Sequence, residues 1–493
     1  MHMKKGRRLA TGLLAGLLAL APAAWAETET VAIAMDARAS GTPFPHFWEQ
    51  MFGSGHAVLA LRDDYRRDLD MLRQATGVRY VRAHGIFNDE LGVFELDKQG
   101  KPVYNFSYVD QIYDGLLARG VKPFVELGFM PEALDSKPHA QKVFFYKLRA
   151  SPPRNYALWD GLIKAFAQHL VDRYGIDEVA SWYFEVWNEP DIPFWNGKPA
   201  QATYFKLYDH TARALKSVDP RLRVGGPATS AVAWIPEFLQ HVHARKSPVD
   251  FVSTHAYGNV CPDVKKVREQ IASSAYPALP FILSEFNATI YTRTDITDAP
   301  YMGPYLASTI RDCAGLVDMM SFWTFSDVFE EQGVVKTPFY GGYGLIAERG
   351  IPKPSFNAFA MLHKLGEQRL PAGDGPVLAT RREDGTVVIA LWNYARPAHA
   401  KPDGSVATPK RFDVTVAHLP TGTAATLWRL DAGHGNANTA FDAMGRPAYP
   451  GIDQIKTLQQ AGSMAPAETQ SMHDGKLSIE IPPQGLVVLE LKP

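Results

Sequence analysis

The sequence predicts an α/β fold: a (β/α)8 TIM barrel with a C-terminal antiparallel β-sandwich domain. Three observations carry that expectation. Between about residues 40 and 365, short apolar strand-like runs alternate with amphipathic helical stretches. The alternation supplies eight strand–helix units, and parallel strands need crossover helices between them. After about residue 370 the helical period gives way to short strand-like runs set off by turn residues. A doubly wound open sheet is the competing arrangement, but no Gly-rich phosphate turn follows the first strand.

Taken in chain order, residues 1–26 read as a signal peptide. Lys4, Lys5, Arg7 and Arg8 form a positive start, Leu9 to Ala21 an apolar run, and Ala24-Trp25-Ala26 a small-residue cleavage site. Arg7-Arg8 hints at twin-arginine export. Cleavage leaves 47 basic against 52 acidic side chains, a net charge of −5. The mature chain is expected in the periplasm or outside the cell. The apolar run is too short to span a bilayer, and no later stretch approaches the length that would, so no membrane partner is expected.

Residues 27–40 contain a strand at Thr30–Ala34 that is expected to join the sandwich. The barrel is expected over 41–366. It opens with a strand near Phe47–Phe52 and continues through Val78–His84. A helix over Tyr108–Arg119 follows, with Val109, Ile112, Tyr113, Leu116 and Leu117 on one face and Gly120 as its stop. Next come the strand Pro123–Gly128 and the helix Trp159–Tyr174. Further strands are expected at Tyr183–Trp187, Arg223–Gly226, Asp250–His255, Phe281–Phe286 and Met320–Phe325. Helices at roughly 201–217, 235–245, 264–273, 304–315 and 355–365 separate or follow them. The sandwich over 367–493 is read from Val387–Trp392, Arg411–Val416, Ala425–Leu430, Leu477–Ile481 and Leu486–Leu491. Asp384-Gly385 and Asp474-Gly475 punctuate those runs as turns.

Composition removes several function classes. Lys plus Arg is 51 against 52 for Asp plus Glu, so no basic excess is available to hold a nucleic acid. Two cysteines are too few for a disulfide scaffold or a cysteine-built metal site. Cys261 and Cys313 can pair or remain buried thiols. The histidines lack a metal-ligand spacing such as HExxH, and no metal or cofactor is expected. An aromatic content of 11% fits sugar-stacking surfaces and also fits a large core.

In such a barrel, function sits at the C-terminal ends of the strands. The fourth strand ends Trp187-Asn188-Glu189-Pro190 and the seventh Ser284-Glu285-Phe286-Asn287. Both carboxylates follow strongly apolar runs and are expected to project into the barrel mouth. A pair of carboxylates facing one cleft is what glycoside hydrolysis needs: one acid for the leaving oxygen, one group to attack or to activate water. Arg82 and His84 close the second strand pointing the same way. His84 is a candidate sugar-hydroxyl ligand, and Arg82 is a candidate to orient a carboxylate. His255 and Tyr257 end the sixth strand beside Glu285; the Tyr257 hydroxyl is placed to align it, and His255 to fix that arrangement or touch sugar. Trp323 is the candidate floor for a pyranose ring. His56 and Phe129 are weaker candidates for walls of the same pocket.

Several strings extend this reading: YVRAHGIFND (80–89), PFVELGFMP (123–131), WYFEVWNEPD (182–191), VGGPA (224–228), VDFVSTHAYG (249–258), FILSEFN (281–287), SFWTFSDVFEE (321–331), GGYGLI (341–346) and MGRPAYP (444–450). With them the chain resembles glycoside hydrolase family 39, and within it the bacterial β-xylosidases. The resemblance implies Glu189 as general acid/base and Glu285 as nucleophile, with Asn188 bonding the sugar 2-OH. It also implies that Glu330 or Glu331 grips sugar hydroxyls, and that no metal is used. The implied reaction releases xylose from the non-reducing ends of xylooligosaccharides by double displacement, with the carboxyl groups about 5–5.5 Å apart. Glu189 then needs a pKa lifted by its neighbours, the other carboxylate included. Other sugars remain open, namely α-L-arabinosides, β-galactosides or glucosides and α-L-iduronides, as does a non-catalytic polysaccharide-binding protein. The chain ends at Lys492-Pro493, where some relatives carry a further tail, and a monomer is expected over a tetramer.

Overall fold

The structure is a computed structural model that describes residues 29–395, 408–420 and 422–492. The signal-peptide expectation at 1–26 lies outside the described residues. Eight parallel strands close the barrel in chain order: β1 Met51–His56, β2 Tyr80–His84, β3 Lys122–Leu127, β4 Tyr183–Val186, β5 Arg223–Thr229, β6 Phe251–Tyr257, β7 Phe281–Asn287 and β8 Met319–Phe322. β8 returns to β1 through Ser321 opposite Met51 and Phe322 opposite Phe52. The helices 63–75, 107–117, 156–174, 200–218, 235–245, 261–272, 302–313 and 354–362 run between or after the strands. The barrel is plugged at its N-terminal end by Met51, Phe124, Phe251, Ile282 and Met319, with Tyr80 and Tyr183 packed against them. That apolar layer leaves only the opposite end of the barrel free for polar chemistry.

The first strand lies four residues later than Phe47–Phe52. Phe47 and Trp48 are spent as buried packing at the barrel base, while the strand itself carries the less strand-like MFGSGH. Gly53 is required there. A Cβ at that position would sit 2.2 Å from Cε3 of Trp323.

The C-terminal part pairs a seven-stranded sheet with a three-stranded one. The larger runs in the order Thr42–Pro43, Gln368–Leu370, Val377–Arg381, Val387–Trp392, Leu486–Leu491, Ala424–Leu430 and Glu468–Ser471. The smaller contains Glu29–Asp36, Lys410–Ala417 and Lys476–Ile481. The N-terminal strand joins parallel to Lys410–Ala417, the one departure from an antiparallel sandwich among the described strands. Ile33, Phe412, Val414, Ile389 and Leu489 are among the residues filling the space between the sheets.

A second departure is helical. Ala437–Ala443 and Ile452–Gly462 form helices in a region expected to belong to the β-sandwich. Phe441 and Leu458 bury against Phe339, Ala347 and Ile351 of the barrel side, so this excursion is docked on the barrel rather than paired in a sheet. The MGRPAYP segment is the link between the two helices, not part of a strand. Cys261 and Cys313 are joined in a disulfide, which ties the start of helix 261–272 to the end of helix 302–313.

Candidate active site

Charged residues replace apolar ones where the strands near the C-terminal end of the barrel. Arg82 on β2, Glu126 on β3 and Glu185 on β4 are wholly buried side chains in otherwise apolar strands. Arg82 is the hub. Its Nε donates to Glu185 at 2.7 Å, one terminal nitrogen donates to Glu285 at 2.7 Å, and the other donates to the side-chain oxygen of Asn188 at 2.8 Å. That last nitrogen also lies 3.0 Å from Glu126. Burial works against the guanidinium charge, but Glu185, Glu126 and Glu285 outweigh it and raise its pKa. Because Arg82 claims the oxygen of Asn188, the amide nitrogen is left to face the cavity.

Glu285 sits on β7 opposite His255 on β6, where the register of the two strands shifts between Thr254 and His255. A bulge at a strand end re-aims side chains, and here it sets the two groups side by side. Tyr257 donates its hydroxyl to Glu285 Oε2 at 2.6 Å, and burial pushes that phenol well up, so it stays a donor. His255 Nδ1 lies 2.9 Å from Glu189 and 3.3 Å from Glu285. Burial lowers its pKa. Of the two tautomers of the neutral ring, the one with its proton on Nδ1 donates toward both carboxylates.

Glu189 follows β4 with a positive φ of 45°, held by its N–H on the Ala228 carbonyl at 2.8 Å. A left-handed glutamate is strained by about 1–3 kcal/mol. Burial first, and the Asp191 carboxylate next, raise its pKa to about 7. The like charge with the largest effect is thus Asp191, which is fixed by the Ser230 N–H and hydroxyl. One oxygen each of Glu189 and Glu285, with His255 Nδ1, lie within 4.8 Å of one another.

These groups open into a cavity of about 500 Å3 lined by His84, Asn188, Glu189, Tyr257, Glu285, Trp323 and Glu331. Trp323 packs at a tilt of 46° against His84, with 4.7 Å between ring centres. His84 donates through Nδ1 to Glu126 at 2.6 Å and turns Nε2 toward Glu331 at 3.6 Å. Burial and the charges of Glu285 and Glu189 push the Glu331 pKa well up, so its carboxyl can donate as well as accept. Glu330 turns out of the cavity at φ 68° and pairs with Arg62, and its carboxylate lies 3.7 Å from His56 Nε2.

Four expected site residues do not line the cavity, Glu330 and three others. His56 stacks on Tyr146 at 3.8 Å, behind the wall, with Nδ1 on Glu90. Phe129 is buried under Trp187 and the edge of His84. His255 lies beneath the carboxylates rather than on the surface of the cavity. Conversely, Phe144, Ile192, Phe194, Ile290 and Tyr343 line it and were not foreseen. They stand on long loops without a period to read. Glu126 and Glu185 had a signal: single acids inside the two apolar strands that follow the one bearing Arg82. Asn287-Ala288-Thr289 has the spacing of an N-glycosylation triplet, but the Asn287 side chain is buried and donates to the Trp323 carbonyl.

Residues 31–477 match the family model described as Glycosyl hydrolases, family 39. A β-xylosidase of Geobacillus stearothermophilus is 38% identical over 469 residues, covering 89% of this chain and 90% of the relative. The crystal structure of a monomeric β-xylosidase from Caulobacter crescentus CB15 superposes with a TM-score of 0.86 at 36% identity, covering 94% of this chain and 99% of the other. The human α-L-iduronidase is 26% identical over 302 residues, 55% of this chain and 43% of the relative.

Proposed function

The chain belongs to glycosyl hydrolase family 39 and is a glycoside hydrolase; from that premise we propose that it is a retaining, exo-acting β-xylosidase. The observation that carries the proposal is the convergence of Glu189 and Glu285 on one histidine nitrogen, with an oxygen of each inside a 4.8 Å triangle. Retaining enzymes need carboxyl groups about 5–5.5 Å apart, whereas inverting ones need about 6.5–9.5 Å to admit water between them.

The two carboxyls have different surroundings and divide the work accordingly. Glu285, held by Arg82 and Tyr257 through separate oxygens, attacks the anomeric carbon. Glu189, with its pKa raised to about 7, protonates the leaving oxygen. The glycosyl–Glu285 ester that forms no longer carries a negative charge. Glu189, now ionised, takes a proton from water, which attacks the same carbon and releases the sugar with retained configuration. Asn188 presents its amide to the 2-OH, Trp323 the floor, and Glu331 and His84 the remaining hydroxyl contacts.

A uronic acid in the reacting position would call for a cation in the cavity. Among the described residues no Lys or Arg lines it, and Arg82 beneath is already committed to three carboxylates. That favours a neutral sugar over an iduronide. The Cys261–Cys313 disulfide favours an oxidising compartment and so export of the mature chain. We read the protein as a monomer, as the Caulobacter relative is described.

A proton NMR time course on an aryl β-D-xylopyranoside tests the reading. β-Xylose formed ahead of mutarotation is expected. Early α-xylose would remove Glu285 as nucleophile, and no hydrolysis would remove the sugar assignment.

A further inference from the structure

Beside the catalytic cavity lies a second groove of about 720 Å3, lined by Arg293, Lys336, Arg349, Tyr449 and Pro450 among others. The loops that wall the cavity also wall this groove. Ile290 faces the cavity and Arg293 the groove; Gln332 faces the cavity and Val334 to Lys336 the groove. Three residues of chain span at most about 11 Å, so the two spaces lie within the reach of one short oligosaccharide.

The charge of the groove is unusual for this molecule. The whole chain carries a net charge of −1, and nearby arginines are neutralised: Arg62 by Asp64 and Glu330, Arg67 by Asp63. Arg293, Lys336 and Arg349 are exposed and make no ion pair within the described residues. Glu348 is the single carboxylate in the lining, and burial raises its pKa to about 7. Tyr449 lines the same groove and is 78% exposed, an aromatic face of the kind that stacks on the apolar side of a sugar ring. Unpaired guanidinium and ammonium groups beside an exposed ring fit a sugar that bears a carboxylate.

We propose that this groove is a subsite for a uronic-acid branch on the leaving-group side of the substrate, so that the enzyme takes acid-decorated xylooligosaccharides. The proposal rests on the β-xylosidase reading for what occupies the catalytic cavity, and it places the acid outside that cavity, where the cations are.

The test compares two xylooligosaccharides of equal length, one neutral and one carrying a single uronic acid on a unit behind the terminal xylose. Wild-type enzyme is expected to show a KM roughly five- to tenfold lower for the acidic one, a preference that fades in high salt because the charges are exposed. Arg293→Ala/Lys336→Ala is expected to erase the preference while leaving turnover of the neutral oligosaccharide unchanged. Tyr449→Ala is expected to raise KM for the acidic substrate with kcat held. Equal KM values in the wild type, or a preference that survives the double substitution, would overturn the proposal. If neither oligosaccharide is hydrolysed, the β-xylosidase reading fails by itself. Calorimetric titration of the same two compounds then decides the groove: tighter binding of the acidic one that depends on Arg293 and Lys336 sustains it, and equal binding removes it.

Discussion

Asp191 is the like charge that Glu189 feels most, and it cannot swing away because Ser230 holds both of its oxygens. A carboxyl with a pKa near 7 is protonated below that pH and ionised above it. As the acid in the first step, Glu189 should therefore lose activity as pH rises through about 7 on substrates with poor leaving groups. Asp191→Asn removes a neighbouring negative charge and makes ionisation easier, so the pKa falls. The alkaline limb of kcat/KM is expected to move to lower pH by roughly one unit. A limb that stays in place would assign it to another group. Glu189→Ala should slow aryl xylosides with good leaving groups far less than natural oligosaccharides, because an activated phenol leaves without a proton. Arg82 is a different case. Arg82→Lys offers one nitrogen where four acceptors now stand around a planar fork. Leaving buried carboxylates short of partners is expected to cost about 3 kcal/mol and to depress turnover by misplacing Glu285, both measurable by denaturant unfolding and steady-state kinetics.

At the scale of elements, the site is a property of strand ends. Glu189 and Glu285 could be read from the sequence because a parallel barrel delivers its C-terminal strand ends to one mouth, and the fourth and seventh strands lead into glutamate after strongly apolar runs. Arg82 and His84 followed from alternation along β2. The same logic fails on the long loops. Phe144 and Phe194 reach the cavity from segments with no period, and the choice between Glu330 and Glu331 turned on a left-handed backbone at Glu330 that no pattern announces. Helix 437–443 was missed because it is only two turns long. The pairing of Cys261 with Cys313 was likewise open until the two helix ends were placed 5.2 Å apart at Cα. That bond flanks β7 and closes a loop of 52 residues in sequence separation. Loop-closure entropy puts its worth at about 4 kcal/mol. Cys261→Ser/Cys313→Ser is expected to lower the denaturant midpoint by that measure with little change in kcat/KM at room temperature, since strand pairing rather than the bond holds Glu285. Unfolding curves that are identical with and without reductant would show that the bond contributes nothing.

On the scale of the whole molecule, the barrel and the sandwich share a core. Helices 302–313 and 354–362 pack on the outer face of the seven-stranded sheet. Val388, Ala390, Trp392, Leu430, Leu486 and Val488 from the sheet lie in the same buried cluster as Leu306 and Phe359 from the helices. The contact is close enough that a Cβ on Gly303 would meet Leu430 at 2.9 Å. A large apolar interface couples two domains, whereas a small polar one lets them move and melt apart. The intact protein is therefore expected to unfold in a single calorimetric transition, with activity and sandwich structure lost together. Gly303→Leu forces a branched side chain into that contact, and overpacking of this kind costs about 1–3 kcal/mol. The variant is expected to melt at a lower Tm, and its transition to broaden or split as the sandwich loosens first. Since β4 and β7 lie on the far side of the helical layer from the sheet, kcat/KM should hold below the first transition. Two well-separated transitions in the wild type would mean that the shared cluster does not couple the domains, and would leave the barrel as the independent catalytic unit.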